Sequence, residues 1–509
     1  MIAFRAVATG RLSLLILTLI ALPRVSRAEV PADGWVIWQS TRQEGRFEVY
    51  RARADGTEVK RMTTIGAGKA MWSPDGRWIA YQDQVNAVYL MRPDGSEQHN
   101  VSPPGIYDFW LHDNSGLVVN EGPQYFLLDP ESGGKTPLFN QADFPQFGAT
   151  TFLPNAMTND NRYLLLGSHL YDNGYTGANG SFKSGFSAVM VDLLHKDKTY
   201  FIGNGCWPFT PPQGDMVFHI CNDCPTHPDI YGMHLADLDT RSSYLPEEAH
   251  PDMDWGHEYN PRVSNDNNWV AYMSSTGCHE GLACDYEVFI HRRGAGPSER
   301  SRVTTDPSFD GYPDLRVGPL WKPQAEPVLF ARPDRVALFA LGTELPPARK
   351  VLIKNGGAGA LAGVKATIDP PVPWLAMSGD QTSLTLEVKR EGLVAGANRT
   401  TITVGADLVA PITIPVVVSA DDTYPAPPDA GAPDAGAADA GVGDAGAASD
   451  ATVSGDGPAA SSDSGCSCAL GAHGQGGWWL LALAALSARW ARRRTRPASG
   501  AGRRRPGRG

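Results

Sequence analysis

The sequence predicts an all-β protein in which a short unit of strands and tight turns is repeated along most of the chain. Gly (55) and Pro (40) are used above average in 509 residues, and aromatic side chains are plentiful. This composition favours short strands over long helices. The stretch 71–95, MWSPDGRWIAYQDQVNAVYLMRPDG, contains three β-rich runs separated by a Pro-Asp-Gly turn and a loop, and a second Asp-Gly turn ends it. Weaker copies follow downstream.

The copies recur at the spacing of propeller blades. Periods of about 40 to 50 residues with several short strands each are typical of β-propellers. A β-sandwich is the competing architecture, but sandwiches lack this turn-and-strand repetition, and six blades fit better than seven. The six units are anchored on Val36, Ile79, Leu117, Tyr163, Met216 and Trp269.

The best-preserved copy resembles the WD-like repeats of TolB-type six-bladed propellers. It carries Trp-Ser-Pro-Asp-Gly at 72–76, an Ile-Ala-Tyr strand at 79–81 and a Tyr-x-Met strand at 89–91. Later copies match loosely, with Thr-Asn-Asp-Asn or Ser-Asn-Asp-Asn in place of Ser-Pro-Asp-Gly. The resemblance implies a TolB-like six-bladed propeller over residues 29–335, in which Val328–Phe330 supplies the strand that closes the ring on the first blade.

Residues 336–420 differ in composition and predict a small antiparallel sandwich. Apolar and polar residues alternate over 384–388, 402–404 and 412–416, as they do in strands with one buried face. Together with Pro373–Leu375, these strands resemble a BACON-type immunoglobulin-like module. Some such modules contact carbohydrate, but fold analogy alone does not decide this, and a spacer role is favoured.

The N-terminal residues 1–28 have the layout of a secretory signal. Two arginines precede the apolar run 12–22, which is too short for a membrane span, and small residues lead to a cleavage site between Ala28 and Glu29. Export into an oxidising compartment is therefore predicted, where disulfides persist.

The C-terminal end predicts a tether followed by a sorting signal. Residues 421–464 are rich in Asp, Ala, Gly and Pro, and this composition cannot bury a core, so we expect a disordered linker. Residues 465–509 contain Cys466 and Cys468, an apolar run at 478–488 and a cluster of arginines. This order of parts resembles the MYXO-CTERM sorting domain. The resemblance implies a hydrophobic helix that is transiently in the membrane, processing by a sorting protease near one of the two cysteines, and display on the outer membrane surface or outside the cell.

The charge distribution argues against a nucleic-acid partner. The formal net charge is −11 at pH 7, although residues 1–28 and 465–509 carry arginines and no acidic side chain. The body between them is therefore strongly acidic, and phosphate would repel it.

The cysteines of the propeller region predict disulfides. Cys278 and Cys284 flank a short segment between two predicted strands, and a bridge within this loop is the simple interpretation. Cys206 is expected to pair with Cys221 or with Cys224, which leaves one cysteine over.

Two clusters are candidate metal sites, although no cofactor is required by the sequence. His219, Cys221, Cys224 and His227 offer two thiolates and two imidazoles, as tetrahedral zinc needs. Their spacing is tighter than in a zinc finger, and a disulfide loop is the preferred interpretation.

The second cluster contains His250, Asp254, His257 and Glu258 just before the sixth unit. Carboxylates and imidazoles gathered at a propeller mouth could bind a divalent cation or act as acid and base. A polar loop that solvates the rim is the simpler interpretation.

These observations favour a non-catalytic protein that binds a protein or glycan ligand at one face of the propeller. The sequence contains no G-x-S-x-G nucleophile elbow and no phosphate-binding Gly-rich loop that opens a helix. The alternative is a metal-dependent polysaccharide lyase or hydrolase that uses the cluster at His250–Glu258. The specificity is expected in the long loops of the fourth to sixth units, where the copies depart from the repeat.

Overall fold

The computed structural model describes residues 29–43, 45–102, 106–147, 152–168, 176–177, 180–181, 187–214, 216–221, 230–235, 244–246, 258–275, 285–295 and 299–424. Over these residues the chain forms strands, together with a turn of 3-10 helix at Gln141–Asp143. Within the described part of the chain, no helix has the length and apolar character needed to cross a membrane.

The described residues of the first part of the chain form 25 strands. In chain order they are β1 (Gly34–Gln43), β2 (Arg46–Arg53), β3 (Lys60–Arg61), β4 (Ala67–Trp72), β5 (Ile79–Asp83), β6 (Val88–Met91), β7 (His99–Ser102), β8 (Ile106–Trp110), β9 (Leu117–Glu121), β10 (Gln124–Leu128), β11 (Lys135–Asn140), β12 (Leu153–Met157), β13 (Tyr163–Ser168), β14 (Thr176–Gly177), β15 (Gly180–Ser181), β16 (Ser187–Asp192), β17 (Thr199–Phe209), β18 (Met216–Cys221), β19 (Ile230–His234), β20 (Tyr244–Pro246), β21 (Glu258–Val263), β22 (Trp269–Ser275), β23 (Tyr286–Arg292), β24 (Ser301–Arg302) and β25 (Asp310–Val317).

These strands build six blades among the described residues. Four blades are separate sheets in the orders β25-β1-β2-β3, β4-β5-β6-β7, β8-β9-β10-β11 and β21-β22-β23-β24. The fourth and fifth blades share the long strand β17 and run β12-β13-β16-β17 and β17-β18-β19-β20. The inner strands β25, β4, β8, β12, β17 and β21 contact one another in a closed ring. The described residues therefore form a β-propeller of six blades, and each of the six anchor residues lies in the second strand of a different blade.

The ring is closed by β25, which corrects the prediction that Val328–Phe330 would do so. β25 pairs with β1 over Gly34–Ser40 as the inner strand of the first blade. It is held there by burial of Leu315 in the core between the first and sixth blades and by the Trp38 Nε1–H bond to Asp310 Oδ1 at 3.1 Å. Leu329 instead begins a strand of the second domain, where it is buried.

The turn after each inner strand explains why the repeat tolerates different sequences. Ser73 Oγ donates to Asp75 Oδ1 at 2.6 Å and accepts from Trp78 N at 3.0 Å. Thr158 and Ser264 make the same pair of bonds in the fourth and sixth blades. The fourth position needs positive φ and is occupied by Gly76 (69°) or by asparagine (60° and 67°), the other residue type that tolerates this region. Thus Thr-Asn-Asp-Asn and Ser-Asn-Asp-Asn build the same turn as Ser-Pro-Asp-Gly.

Residues 329–424 form two four-stranded sheets that share one core. The strands are β26 (Leu329–Arg332), β27 (Val336–Ala340), β28 (Arg349–Asn355), β29 (Lys365–Asp369), β30 (Leu375–Gly379), β31 (Ser383–Val388), β32 (Gly396–Ala406) and β33 (Val409–Ala420). One sheet runs β26-β28-β31-β30 and the other β27-β33-β32-β29, with β27 parallel to β33. The predicted alternation holds, because Leu384, Leu386 and Val388 are buried between exposed neighbours. We call this unit the sandwich; its likeness to a BACON-type module stays a prediction.

Candidate functional site

The sandwich contacts one face of the propeller through turns of the second and third blades. We call this the turn face, because it carries the turns 73–78 and 111–116 that follow the inner strands of the second and third blades. The opposite face, where β5 and β13 end, is the loop face.

The turn that joins β26 to β27 is the centre of this contact. The Arg332 side chain is 2% exposed, and its Nη2 lies 2.8 Å from Glu131 Oε1 and 3.4 Å from Asp75 Oδ2. Its Nη1 donates to the Asn114 carbonyl at 3.3 Å. Two residues on, the Asp334 carboxylate accepts from the Asn114 side-chain amide, and its N–H donates to the Asp113 carbonyl at 2.9 Å. A buried cation is thus matched by two carboxylates and a carbonyl, as burial requires.

Weaker ion pairs surround this buried contact. Lys354 Nζ lies 3.1 Å from Asp129 and 3.0 Å from Glu131, and Arg349 Nη2 donates to Ser115 Oγ at 2.9 Å. Burial of Asp129 opposes ionisation, but hydrogen bonding to Glu131 and the Lys354 ammonium group lower its pKa to about 2. These side chains are partly exposed, so each pair adds little stability on its own.

Stacked cations complete the contact on the second blade. The Arg77 guanidinium lies 4.0 Å from the Phe330 ring centroid and donates to the Gly356 carbonyl at 2.7 Å. The Arg92 guanidinium lies between Trp78 at 3.6 Å and Trp321 at 4.1 Å. The segment that joins the propeller to the sandwich is therefore fixed to the turn face.

A cavity of about 250 Å³ lies on the propeller axis under the β26–β27 turn. It is lined by the ends of the inner strands and by the sandwich. The charged and titratable side chains that face it are His112, Arg262, Asp314, Arg316, Asp334 and Arg335.

Bulges in the inner strands position two of these side chains. Trp207, Asn260 and Tyr312 have φ of 53°, 52° and 54°, and the strand register shifts at each of them. A bulge of this kind bends the strand and redirects the side chains that follow. Arg262 and Asp314 stand two residues after Asn260 and Tyr312, at equivalent positions of the sixth and first blades.

Asp314 is a carboxylate in a poorly solvated position. Burial raises its pKa to about 6, against the opposing effect of the Arg262 guanidinium and of the Trp72 N–H, which donates to Oδ2 at 2.7 Å. At neutral pH this carboxylate is mostly ionised, and it protonates in mild acid.

His112 is held as a neutral imidazole. Its Nε2 lies 3.1 Å from Thr210 Oγ1, and that hydroxyl donates to the Met157 carbonyl at 2.9 Å. Because the hydroxyl proton is committed to Met157, His112 Nε2 is the donor and Nδ1 carries the lone pair. Burial, followed by the guanidinium groups of Arg335 and Arg262, lowers the pKa of His112 to about 3.

The remaining two guanidinium groups are only partly satisfied. Arg316 donates to the carbonyls of Pro74 at 2.9 Å and Asp75 at 3.2 Å, and Arg335 Nη2 donates to the Pro212 carbonyl at 3.3 Å. The Nε atoms of both arginines are buried and find no hydrogen-bond partner among the described residues. Burial also lowers the pKa of Arg316. The cavity can therefore supply further N–H donors to an acidic group.

Of the predicted metal and disulfide residues, those that the structure describes lie in β17, β18 and β21, and the others fall outside the described residues. His219 is fully buried in β18 opposite Tyr231. Cys221 ends β18 opposite Gly205, Cys206 lies in β17 opposite Ile220, and Glu258 begins β21 opposite Ser274. Among the residues that the structure describes, no group of three or more His, Cys, Asp and Glu side chains could hold a metal ion. The predicted residues outside the described ranges are Ala28, Cys224, His227, His250, Asp254, His257, Cys278, Cys284, Cys466 and Cys468.

The sequence interpretation missed the axial cavity. Its charged residues are spread over the third, sixth and first blades and the sandwich. A weak signal was present, since Asn-Pro-Arg at 260–262 and Tyr-Pro-Asp at 312–314 place opposite charges at the same position of two copies.

Comparison with known proteins supports the propeller and names no function for the whole chain. No protein-family model matches it. A stretch of 64 residues is 44% identical to the Tol-Pal system protein TolB of Geobacter sulfurreducens; it makes up 12% of this chain and 15% of that protein. The chain thus spans about 15% of the length of the curated relative that it matches.

Solved structures that align with part of the chain include a putative TolB from Agrobacterium tumefaciens, with a TM-score of 0.36 and 12% identity, over 55% of this chain and 89% of that one. An oligogalacturonate lyase in complex with manganese has a TM-score of 0.29 and 10% identity, over 72% and 98% of the two chains. The propeller domain of Cps50 (Swd1) from Myceliophteria thermophila has a TM-score of 0.29 and 17% identity, over 51% and 79%. With the strand order and the TolB relative, the predicted TolB-like propeller fold is confirmed.

Proposed function

We propose that this protein is an exported, surface-displayed binding protein that engages a protein or glycan partner through the loop face without catalysis. The observation that carries the proposal is the position of the sandwich, which is fixed to the turn face by the buried Arg332 contact. A partner of the propeller then has the loop face available to it.

The long connections that leave the strands on the loop face support a binding role for this face. Long connections of the propeller begin where β13, β18, β20 and β22 end, at Ser168, Cys221, Pro246 and Ser275. Loops carried on a rigid scaffold are the usual place for binding residues. The specificity of the protein is accordingly assigned to the connections of blades four to six.

The loop face also exposes apolar side chains on the first and second blades. Ile65 is 48% exposed and Val85 is 63% exposed. Ile65 adjoins Gly66 and Val85 adjoins Gln84, and Gly66 packs against the Gln84 side chain. Exposed aliphatic side chains of this kind suit a protein partner more than a glycan.

Export and display complete the proposal. The secretory signal at residues 1–28, the linker at 421–464 and the sorting tail at 465–509 would place the propeller outside the cytoplasm on a flexible tether. The sorting protease and, through the tail, the membrane are then transient partners.

The test is a binding assay with matched variants. The purified full-length protein is immobilised and exposed to envelope proteins and to a panel of soluble polysaccharides. We expect retention of one component to be reduced by Ile65→Ser with Val85→Ser, and to be unaffected by Leu408→Ser, a fully exposed residue of the sandwich. Equal retention by all variants would place the partner elsewhere.

The same assay separates binding from the enzyme alternative, which depends on His250, Asp254, His257 and Glu258. A binding protein keeps its ligand after chelation and after His257→Ala. A metal-dependent lyase or hydrolase would instead shorten one of the polysaccharides and lose that activity under both treatments.

A further inference from the structure

The inner strands carry a second level of equivalent positions, nearer the loop face than the axial cavity. Among the described residues, the first residue of the bulge has a φ between 50° and 54° in four blades: Lys69 in the second, Trp207 in the fifth, Asn260 in the sixth and Tyr312 in the first. Each stands two positions before a residue that lines the cavity. Because the inner strands run from the loop face to the turn face, these four residues lie between the loop face and the cavity.

Two of these positions hold aromatic residues that the backbone does not favour. A positive φ is uncommon for residues other than Gly and Asn, and it is strained for a bulky side chain. Asn260 forms the same bulge in the sixth blade, so the bulge itself requires no aromatic residue. Strained backbone of this kind is concentrated at functional sites. A role for the rings of Trp207 and Tyr312 would explain why they occupy these positions.

The two rings meet across the sixth blade. Trp207 belongs to the fifth blade and Tyr312 to the first, and their ring centroids lie 6.2 Å apart at an interplanar angle of 83°. Since the inner strand of the sixth blade separates the strands that carry them, both side chains extend toward the axis. Burial raises the pKa of Tyr312 to about 12, against the effect of a hydrogen bond with the Asn260 side chain. We call Trp207, Asn260 and Tyr312 the axial aromatic group.

The two rings of this group are not completely covered. Beside them Tyr259, Tyr286 and Phe309 are at most 7% exposed, whereas Trp207 and Tyr312 are only partly buried. The buried neighbours form a rigid support for the two rings. Partly exposed aromatic surface next to a hydroxyl and an amide suits a ligand that is both apolar and hydroxylated.

We propose that the axial aromatic group binds a sugar ring of a glycan at the loop-face side of the axis. The C–H groups on one face of a sugar ring pack against the negative face of an aromatic ring. The Tyr312 hydroxyl and the Asn260 amide can donate to and accept from sugar hydroxyls, and neither is charged. This inference rests on the proposed function, because it takes a glycan as the partner of the loop face and assigns it a place there.

The first experiment is calorimetric titration of the purified full-length protein with cellotetraose, chitotetraose and maltotetraose. Glycerol, which has hydroxyls and no ring, is the control ligand. We expect saturable binding of at least one oligosaccharide and none of glycerol. Absence of saturable binding of all three oligosaccharides would overturn the sugar site.

Variants of the two rings test the site itself. Trp207→Asn removes the larger ring at a position where Asn tolerates the positive φ, and it should weaken binding about tenfold or more. Tyr312→Phe keeps the ring and its packing, so it separates binding from folding, and it should weaken binding several-fold. Tyr89→Phe is the matched control, because Tyr89 is a partly buried tyrosine that stacks on Tyr81 within the second blade. Its affinity should be unchanged, and equal affinity of all three variants would overturn the sugar site.

The outcomes separate this inference from the proposed function. If the immobilised protein retains a partner that depends on Ile65 and Val85 while Trp207→Asn and Tyr312→Phe have no effect, the sugar site is wrong and the binding role of the loop face stands. Retention of an envelope protein that is lost in Trp207→Asn would also overturn the sugar site, since the axial aromatic group would then bind a protein. Absence of any partner in both assays would reject the proposed function as well.

Discussion

Arg332 should control how firmly the sandwich is docked on the propeller. Arg332→Met removes the guanidinium and keeps an apolar side chain of similar length against Phe330. The variant loses the contacts with Glu131 at 2.8 Å, Asp75 at 3.4 Å and the Asn114 carbonyl at 3.3 Å.

The size of the effect follows from what each partner retains. Glu131 still has Lys354 at 3.0 Å, and Asp75 still accepts from Ser73 Oγ at 2.6 Å. Neither carboxylate is therefore left without a partner, and the cost should fall below the 3–5 kcal/mol of a fully broken buried pair. We expect about 2 kcal/mol, as for the loss of one charged hydrogen bond.

The assay is amide hydrogen exchange of the full-length protein, followed in peptides that span 318–335. A decrease of about 2 kcal/mol in the free energy of local opening corresponds to roughly thirtyfold faster exchange in these peptides. Exchange in the sandwich core at Ser383–Val388 should be unchanged. Arg349→Met is the matched control. Its side chain is 36% exposed and pairs with Asp113 at 3.5 Å, so its effect should stay under about 1 kcal/mol. Unchanged exchange in Arg332→Met, or an equal effect of both variants, would refute the argument.

Three further predictions concern the cavity and the turns. The carboxyl group of Asp314 has a native pKa of about 6 against an ordinary value of 3.8. Between these pH values the native state binds more protons than the unfolded state, so the free energy of unfolding falls as pH rises through them. Asp314→Asn should remove this fall, as measured by urea unfolding midpoints from pH 4 to 7. His112 has the opposite sign, because its native pKa of about 3 lies below the ordinary 6.5 and stability is lost as pH drops through this window. His112→Gln, which can still donate to Thr210, should flatten the acid side of the same curve, and an unchanged slope would contradict a buried neutral imidazole. In the turn of the sixth blade, Asn267 has φ of 67°. Asn267→Gly should change the free energy of unfolding by only a few tenths of a kcal/mol, whereas Asn267→Ala should cost about 1 kcal/mol. Equal thermal midpoints of the two variants would show that the positive φ does not determine the residue at this position.

Local chemistry made the blades predictable from the sequence. The positive-φ position of each turn demands Gly or Asn, and the strand after it must bury its apolar residues, so the copies could be recognised even where Ser-Pro-Asp-Gly had changed. Ring closure could not be predicted in the same way. Both Gly311–Leu315 and Val328–Phe330 are suited to a strand, and the choice depends on long-range pairing with β1 and on the bond from Trp38 to Asp310.

The cavity could not be predicted because its parts are far apart in the chain. The bond from Trp72 N to Asp314 joins residues separated by 242 positions, and Arg335 arrives from a different domain. Which side chains converge on the axis depends on the closed ring and on the docked sandwich together.

The equivalent positions on the axis show how one repeat can carry both scaffold and site. The residue two after the bulge is Met71 in the second blade, Phe209 in the fifth, Arg262 in the sixth and Asp314 in the first, and all four line the cavity. The turns around them are nearly constant because they must satisfy the same backbone hydrogen bonds. The axial position lies outside the turn, so its side chain can be apolar in one copy and charged in another. The copy at 71–95 that matches the repeat best therefore contributes an apolar wall, and the charges come from copies that match it more loosely.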